Sequence, residues 1–267
     1  MTLSVQYLSA VSTAIVLGVN TNNTVTYYYY YSSAYSSTQL TVSTLPPTGI
    51  VAVLKNDGVI VTKLDGIVNS VTVNNGNTPN GSPSSATVSV VFVDSSPSSY
   101  TFNEVEIYTV INGTLYNSIS YQYVGTVSKS SSEIVTVNYE LQISNAPSYY
   151  VTFCFLYLLV PNLQQYNVFP FNTYPGIATY SLSGVSGSVS FVSFIITQDS
   201  FEVLLTITTT GGGYATINAY TTPFIQGAVT PQPTSAELVF SATLPVTLPQ
   251  TNTPTSYPVA VGIEYEV

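Results

Sequence analysis

The chain has no arginine, no histidine and no tryptophan, and only three lysines (Lys55, Lys63, Lys129) and one cysteine. Each absence closes a class of function. Without His, a Ser–His–Asp triad and His-ligated metal sites are excluded; without Arg there is no bidentate clamp for phosphate. Three scattered lysines cannot build the cationic patch that nucleic acid or an anionic membrane surface requires. Cys154 has no intrachain partner, and its apolar setting in VTFCFLYLLV marks a buried, inert thiol. No glycine-rich phosphate loop is present, because Gly211 to Gly213 precedes no helical pattern. No cofactor and no metal site are expected.

Long hydrophobic runs are missing too. The longest, Tyr149 to Val160, is about 12 residues, too short to span a bilayer. The N-terminal MTLSVQYLSAVSTAIVLGVN lacks a basic leader, and its apolar residues are interrupted by Ser, Gln and Thr. It reads as two strands rather than a signal peptide.

Charge itself is scarce, at 6% of residues against about 25% in an ordinary domain. What remains is acidic: twelve carboxylates give a formal charge of −9. Disorder does not follow, because 45% of residues are hydrophobic and β-branched and aromatic types abound. Polarity comes from Ser, Thr, Asn, Gln and tyrosine hydroxyls. Acid unfolds many proteins by protonating carboxylates paired in the native state. A fold with few ion pairs has little to lose that way, which points to an acidic or otherwise harsh exterior. The alternative is a secreted adhesin with a glycosylated Ser/Thr-rich surface. Circular dichroism between pH 2 and pH 8 separates the two.

Strand signals run from end to end. ATVSVVFVD (86–94), VSFVSFIITQ (189–198) and FEVLLTITTT (201–210) are β-branched, aromatic and partly alternating. Hairpin turns are expected at Asn56-Asp57-Gly58, at Asn112-Gly113 and at Gly211 to Gly213. No segment shows the 3.6-residue period of an amphipathic helix. The count comes to roughly eighteen strands, paired antiparallel because no crossover helix returns the chain. The expected class is all-β: antiparallel β-sandwiches, jelly-roll or immunoglobulin-like, in two domains. The boundary is placed near residue 96, giving 1–96 and 97–267, with residue 145 as the alternative.

Few groups offer chemistry. Glu104 with Glu106, and Glu264 with Glu266, each lie on one face of a strand, the arrangement of a glycosidase carboxylate pair. The same patterns describe a solvated strand face, and Ser–Lys catalysis has only lysines at or near hairpin ends and loops. A non-enzyme is expected. Three sequons, at Asn22, Asn80 and Asn112, are candidate glycan acceptors.

The most distinctive stretch is NNTVTYYYYYSSAYSS, with five consecutive tyrosines from Tyr27 to Tyr31. In a strand, Tyr27, Tyr29 and Tyr31 share one face, and Tyr28 and Tyr30 the other. One set is expected in the core and one in an assembly contact; Val25 is in register with the first set and marks it as the inward one. Tyrosine suits both roles, with a large apolar area and a polar tip.

This stretch, with VSFVSFIITQ and PQPTSAELVFSATLP, resembles virion and cell-surface proteins of hyperthermophilic acidophilic archaea such as Sulfolobus and its viruses. The resemblance is one of composition over the whole chain. It implies a structural capsid, vertex (turret) or spike subunit in the exterior shell of a virion. Partners are then copies of itself or other particle proteins, with no nucleic acid and no membrane insertion. At 267 residues the chain is short for a double jelly roll, which favours a minor or vertex component, or a single jelly roll with an added domain. The alternative is an extracellular filament, pilus or adhesin subunit joined by a donated strand, with TLSVQYLSAVSTAIVLGV as the donor. A carbohydrate-binding module with tyrosine platforms is a third reading.

Overall fold

The computed structural model describes residues 2–19, 22–31, 34–74, 84–166, 176–197, 200–221 and 238–265. In chain order it begins with β1 (Thr2–Leu3), α1 (Val5–Leu17), β2 (Asn22–Tyr31), β3 (Ala34–Ser43), β4 (Gly49–Asn56) and β5 (Val59–Asn74). There follow β6 (Ser84–Asp94), β7 (Tyr100–Ile111), β8 (Thr114–Lys129), β9 (Val135–Ala146) and α2 (Tyr149–Leu159). The chain continues with β10 (Ile177–Ser183), β11 (Gly187–Ile196), β12 (Ser200–Thr209), β13 (Gly213–Thr221), β14 (Leu238–Leu248) and β15 (Thr255–Glu264). The fold is all-β, about 67% strand and 13% helix, with the helices buried among the sheets.

Three sheets carry these strands. The largest has the order β1-β8-β7-β4-β5-β6-β9, the second β10-β13-β14, and the third β15-β12-β11-β2-β3. Among the described residues every ladder is antiparallel except one, where Ile196 of β11 meets Tyr27 of β2 in parallel. That bridge corrects the expectation of purely antiparallel pairing. Residue 96 lies between β6 and β7, which share the seven-stranded sheet; residue 145 lies at the end of its last strand.

The hairpin tips obey local chemistry. Asp57-Gly58 and Asn112-Gly113 all have positive φ, as a two-residue turn between right-twisted strands demands. The third expected hairpin is different. Gly211 and Gly212 turn the chain, but β12 and β13 belong to different sheets and do not pair. A Cβ on Gly211 would sit 1.9 Å from the Pro249 carbonyl oxygen, so the glycine permits this close crossing.

The two helices overturn the helix-free reading, and the N-terminal stretch read as two strands is mostly α1. Ser4 caps α1 by accepting from the Tyr7 amide at 3.2 Å, and Gly18 ends it at φ 93°. Ser148 caps α2 in the same way, accepting from Val151 at 3.3 Å. Both helices pack against strands of more than one sheet: α1 touches β8, β2, β3, β10 and β11, and α2 touches β6, β9 and β14. A helix covered all round needs no polar face, so the amphipathic period is absent. Ser12 and Thr13 satisfy their hydroxyls within α1, donating to the Leu8 and Ser9 carbonyls at 2.8 and 2.7 Å. The helices are tied reciprocally: Tyr7 donates to the Phe155 carbonyl at 2.7 Å, and Tyr150 to that of Ala14 at 3.2 Å. Cys154 is fully buried in α2, as its neighbours imply.

Candidate functional site

The carboxylate pair on β7 is built into the sheet. Register places Lys55 of β4 opposite Glu104, and its ammonium forms an ion pair with Glu106. Ser118 Oγ donates to the other Glu106 oxygen at 2.5 Å, while Glu104 accepts from the Gly58 amide at 2.9 Å. Burial alone would raise the Glu106 pKa, but the hydrogen bonds from Lys55, Ser118 and Tyr108 outweigh it and hold the carboxyl below its ordinary range. A glycosidase acid needs the opposite shift. Glu264 is exposed at the end of β15, and Glu266 lies outside the described residues.

Glu106→Gln is expected to cost about 1–2 kcal/mol at neutral pH by leaving Lys55 half-buried and unpaired. The folded pKa is depressed, so this contribution is full above the ordinary carboxylate range and fades as pH falls below it. Urea melts of parent and variant at pH 7 and pH 3 check this; an equal difference at both pH values refutes it.

The lysines are placed differently from one another. Lys63 is exposed along β5, away from the hairpin end expected for it. Lys129 is 3% exposed at the end of β8, and its Nζ donates to the carbonyls of Ser96, Ser98 and Ser130 at 2.6, 2.8 and 3.3 Å. Its three protons meet three backbone acceptors, which makes it a clamp on the β6–β7 turn. The Tyr100 ring lies 5.6 Å from the ammonium, and the Tyr100 hydroxyl donates to Asp94 at 2.6 Å. Sequence reasoning missed this cluster. The local signal was an aspartate followed by serines and a proline, Asp94 to Pro97, in which Asp94 accepts from the Ser96 amide at 2.8 Å.

The tyrosine stretch forms β2, paired antiparallel with β3 from Asn22↔Ser43 to Tyr31↔Ala34. Val25 is buried at 5% exposure. The side chains of Tyr27, Tyr28, Tyr29, Tyr30 and Tyr31 lie outside the described residues. Of the sequons, Asn112 is exposed at a hairpin tip, Asn22 opens β2 and Asn80 lies outside the described residues.

A cavity of about 300 Å³ lies along the last residues of β9, lined by every residue from Leu141 to Pro147. Leu8 of α1, Val151 and Phe155 of α2, Leu3 of β1 and the end of β15 from Ile263 to Tyr265 complete it. Nothing pairs with the outer edge of β9 among the described residues. The outer faces of the two smaller sheets are nearly uncharged. Thr216, Asn218, Ser241 and Thr243 hydrogen-bond one another across β13 and β14 at 2.7 to 2.8 Å, and Thr208 meets Ser256 at 3.0 Å. No cluster of three or more metal-ligating side chains occurs among the described residues.

No family model and no solved structure matches the chain. It is 42% identical over 266 residues, covering 100% of both chains, to "Uncharacterized protein ORF246" of Acidianus filamentous virus 2 (isolate Italy/Pozzuoli). At that identity over the full length, the chain belongs to the same family of archaeal-virus proteins.

Proposed function

We propose that the chain is a non-enzymatic structural subunit of an archaeal virus particle, placed in its exterior shell as a capsid, vertex or spike component. It assembles with its own copies and with other particle proteins through uncharged Tyr/Thr/Val-rich surfaces. The observation that carries this reading is the character of the sheet faces, where Ser, Thr and Asn side chains bond to one another and leave almost no charge for contacts to depend on. The viral relative supports the setting, and the exposed tip at Asn112 suits a displayed glycan acceptor. The donated-strand alternative loses its donor, because residues 5–17 form a buried helix.

Exposed charges are screened within about 8 Å at physiological ionic strength, whereas hydroxyl and apolar contacts are not. Immunogold labelling of purified virions with antibody against the Asn112 hairpin is expected to decorate the surface. Assemblies are expected to survive 1 M NaCl at constant pH. Unlabelled virions together with a chain found only in infected cell lysate would overturn the reading.

A further inference from the structure

Among the described residues, the outer edge of β9 is long, regular and unguarded. Its register with β6 is unbroken from Ala86↔Ile143 to Asp94↔Val135, and it contains no Lys, no Pro and no bulge along that length. Three other edges carry the usual protection against pairing: Pro258 in β15, Pro245 in β14, and the two-residue β1 with the positive-φ Gly125 along β8. The two ends of β9 also differ in a matching way. At one end Val135 and Val137 are only half-buried and Ile134 is 66% exposed; at the other, Leu141 and Ile143 line the cavity with Leu8, Val151 and Phe155.

We infer that β9 pairs antiparallel with β9 of a second copy about a two-fold axis at Tyr139. This rests on the reading of the chain as a self-assembling subunit. In that register the partner's Val137 lies opposite Leu141 and the partner's Val135 opposite Ile143. The half-buried valines of each copy thereby enter the cavity of the other. On the outer face, Thr136 meets the partner's Gln142, and Glu140, the one charge on the strand, meets the partner's Asn138. Centring the pair on Glu140 would instead set two carboxylates against each other, and centring it on Leu141 would carry Val135 past the end of the strand, opposite Pro147, which has no amide hydrogen to donate. The contact is isologous, so it closes as a dimer with a continuous sheet.

Sedimentation equilibrium of the full chain at pH 7 tests the register through one exposed residue. The parent is expected to dimerise. Asn138→Glu places Glu opposite Glu at two symmetric points and is expected to raise Kd about tenfold, from the size of like-charge cross-strand pairs. Asn138→Lys places Lys opposite Glu140 and is expected to keep or lower Kd. Melting of the dilute subunit, unchanged in both variants, shows that the fold is intact. A parent that associates while both variants match it overturns the β9 contact and leaves the subunit reading standing. A Lys variant weakened as much as the Glu variant overturns the register. A parent that stays monomeric at about 100 µM overturns the β9 contact, and the surface labelling of virions then decides the subunit reading separately.

Discussion

Tyr7→Ala is expected to lower the unfolding free energy by about 3–5 kcal/mol, whereas Tyr7→Phe costs only about 1 kcal/mol. Tyr7 is fully buried in α1, and its ring meets Phe155 edge-on with centroids 6.0 Å apart. Alanine removes that packing and opens a void between two buried helices, with little room to collapse. Phenylalanine keeps the ring and loses only the 2.7 Å bond to the Phe155 carbonyl. Burial pushes the Tyr7 phenol well above its ordinary pKa, with the neighbouring Tyr139, Cys154 and Tyr265 adding to it, so the group remains a neutral donor. In a chain of this size the alanine variant should melt roughly 10 °C lower. Guanidinium titration measures the difference. Similar losses for Ala and Phe would mean that the hydrogen bond, not the packing, holds the helices together.

The second large effect concerns acid. Lys129→Met is expected to cost about 2–4 kcal/mol, because the carbonyls of Ser96, Ser98 and Ser130 lose their buried donor. Those acceptors are backbone carbonyls, which do not titrate. Asp94 behaves differently. The hydrogen bond from Tyr100, with those from Ser96, holds its carboxyl down at about 2. The folded value lies below the unfolded one, near 4. The stabilisation is therefore full above pH 4 and is lost as pH falls through 2. Asp94→Asn should destabilise the fold at pH 7 and at pH 4, by about 1.5–3 kcal/mol for charge-assisted hydrogen bonds. The gap to the parent should close below pH 2. Denaturant melts at pH 1.5, 4 and 7 check it; a gap that persists at pH 1.5 would mean that the charge on Asp94 is not what the turn uses. The parent thus keeps its few ionic contacts through the range in which most carboxylates fail.

Much of the all-β organisation is legible in the sequence because its causes are local. Asp57-Gly58 and Asn112-Gly113 supply positive φ where strands reverse, and the alternation of ATVSVVFVD is the buried and half-buried pattern of β6. The scarcity of charge implied the uncharged sheet faces in advance. The helices escaped for a physical reason: α1 and α2 are buried along nearly their whole length, against each other and the sheets, and that burial removes the polar face that makes a helix visible. Only the caps Ser4, Gly18 and Ser148 marked them.

The site residues divide along the same line. Sequence spacing placed Glu104 and Glu106 on one face, but which groups they pair with depends on the strand that lies beside them. That strand is β4, which is far away in the chain and brings Lys55 to Glu106. Gly211 to Gly213 carried the chemistry of a turn, yet tertiary packing sent β12 and β13 to different sheets. The alternation of β9 was written in its residues. Its position at the end of a sheet, with a cavity along one end, was set by the order in which seven strands assembled. Local propensity specifies strands and turns through nearest neighbours, whereas edges, partners and cavities are properties of segments that meet only when the chain has folded.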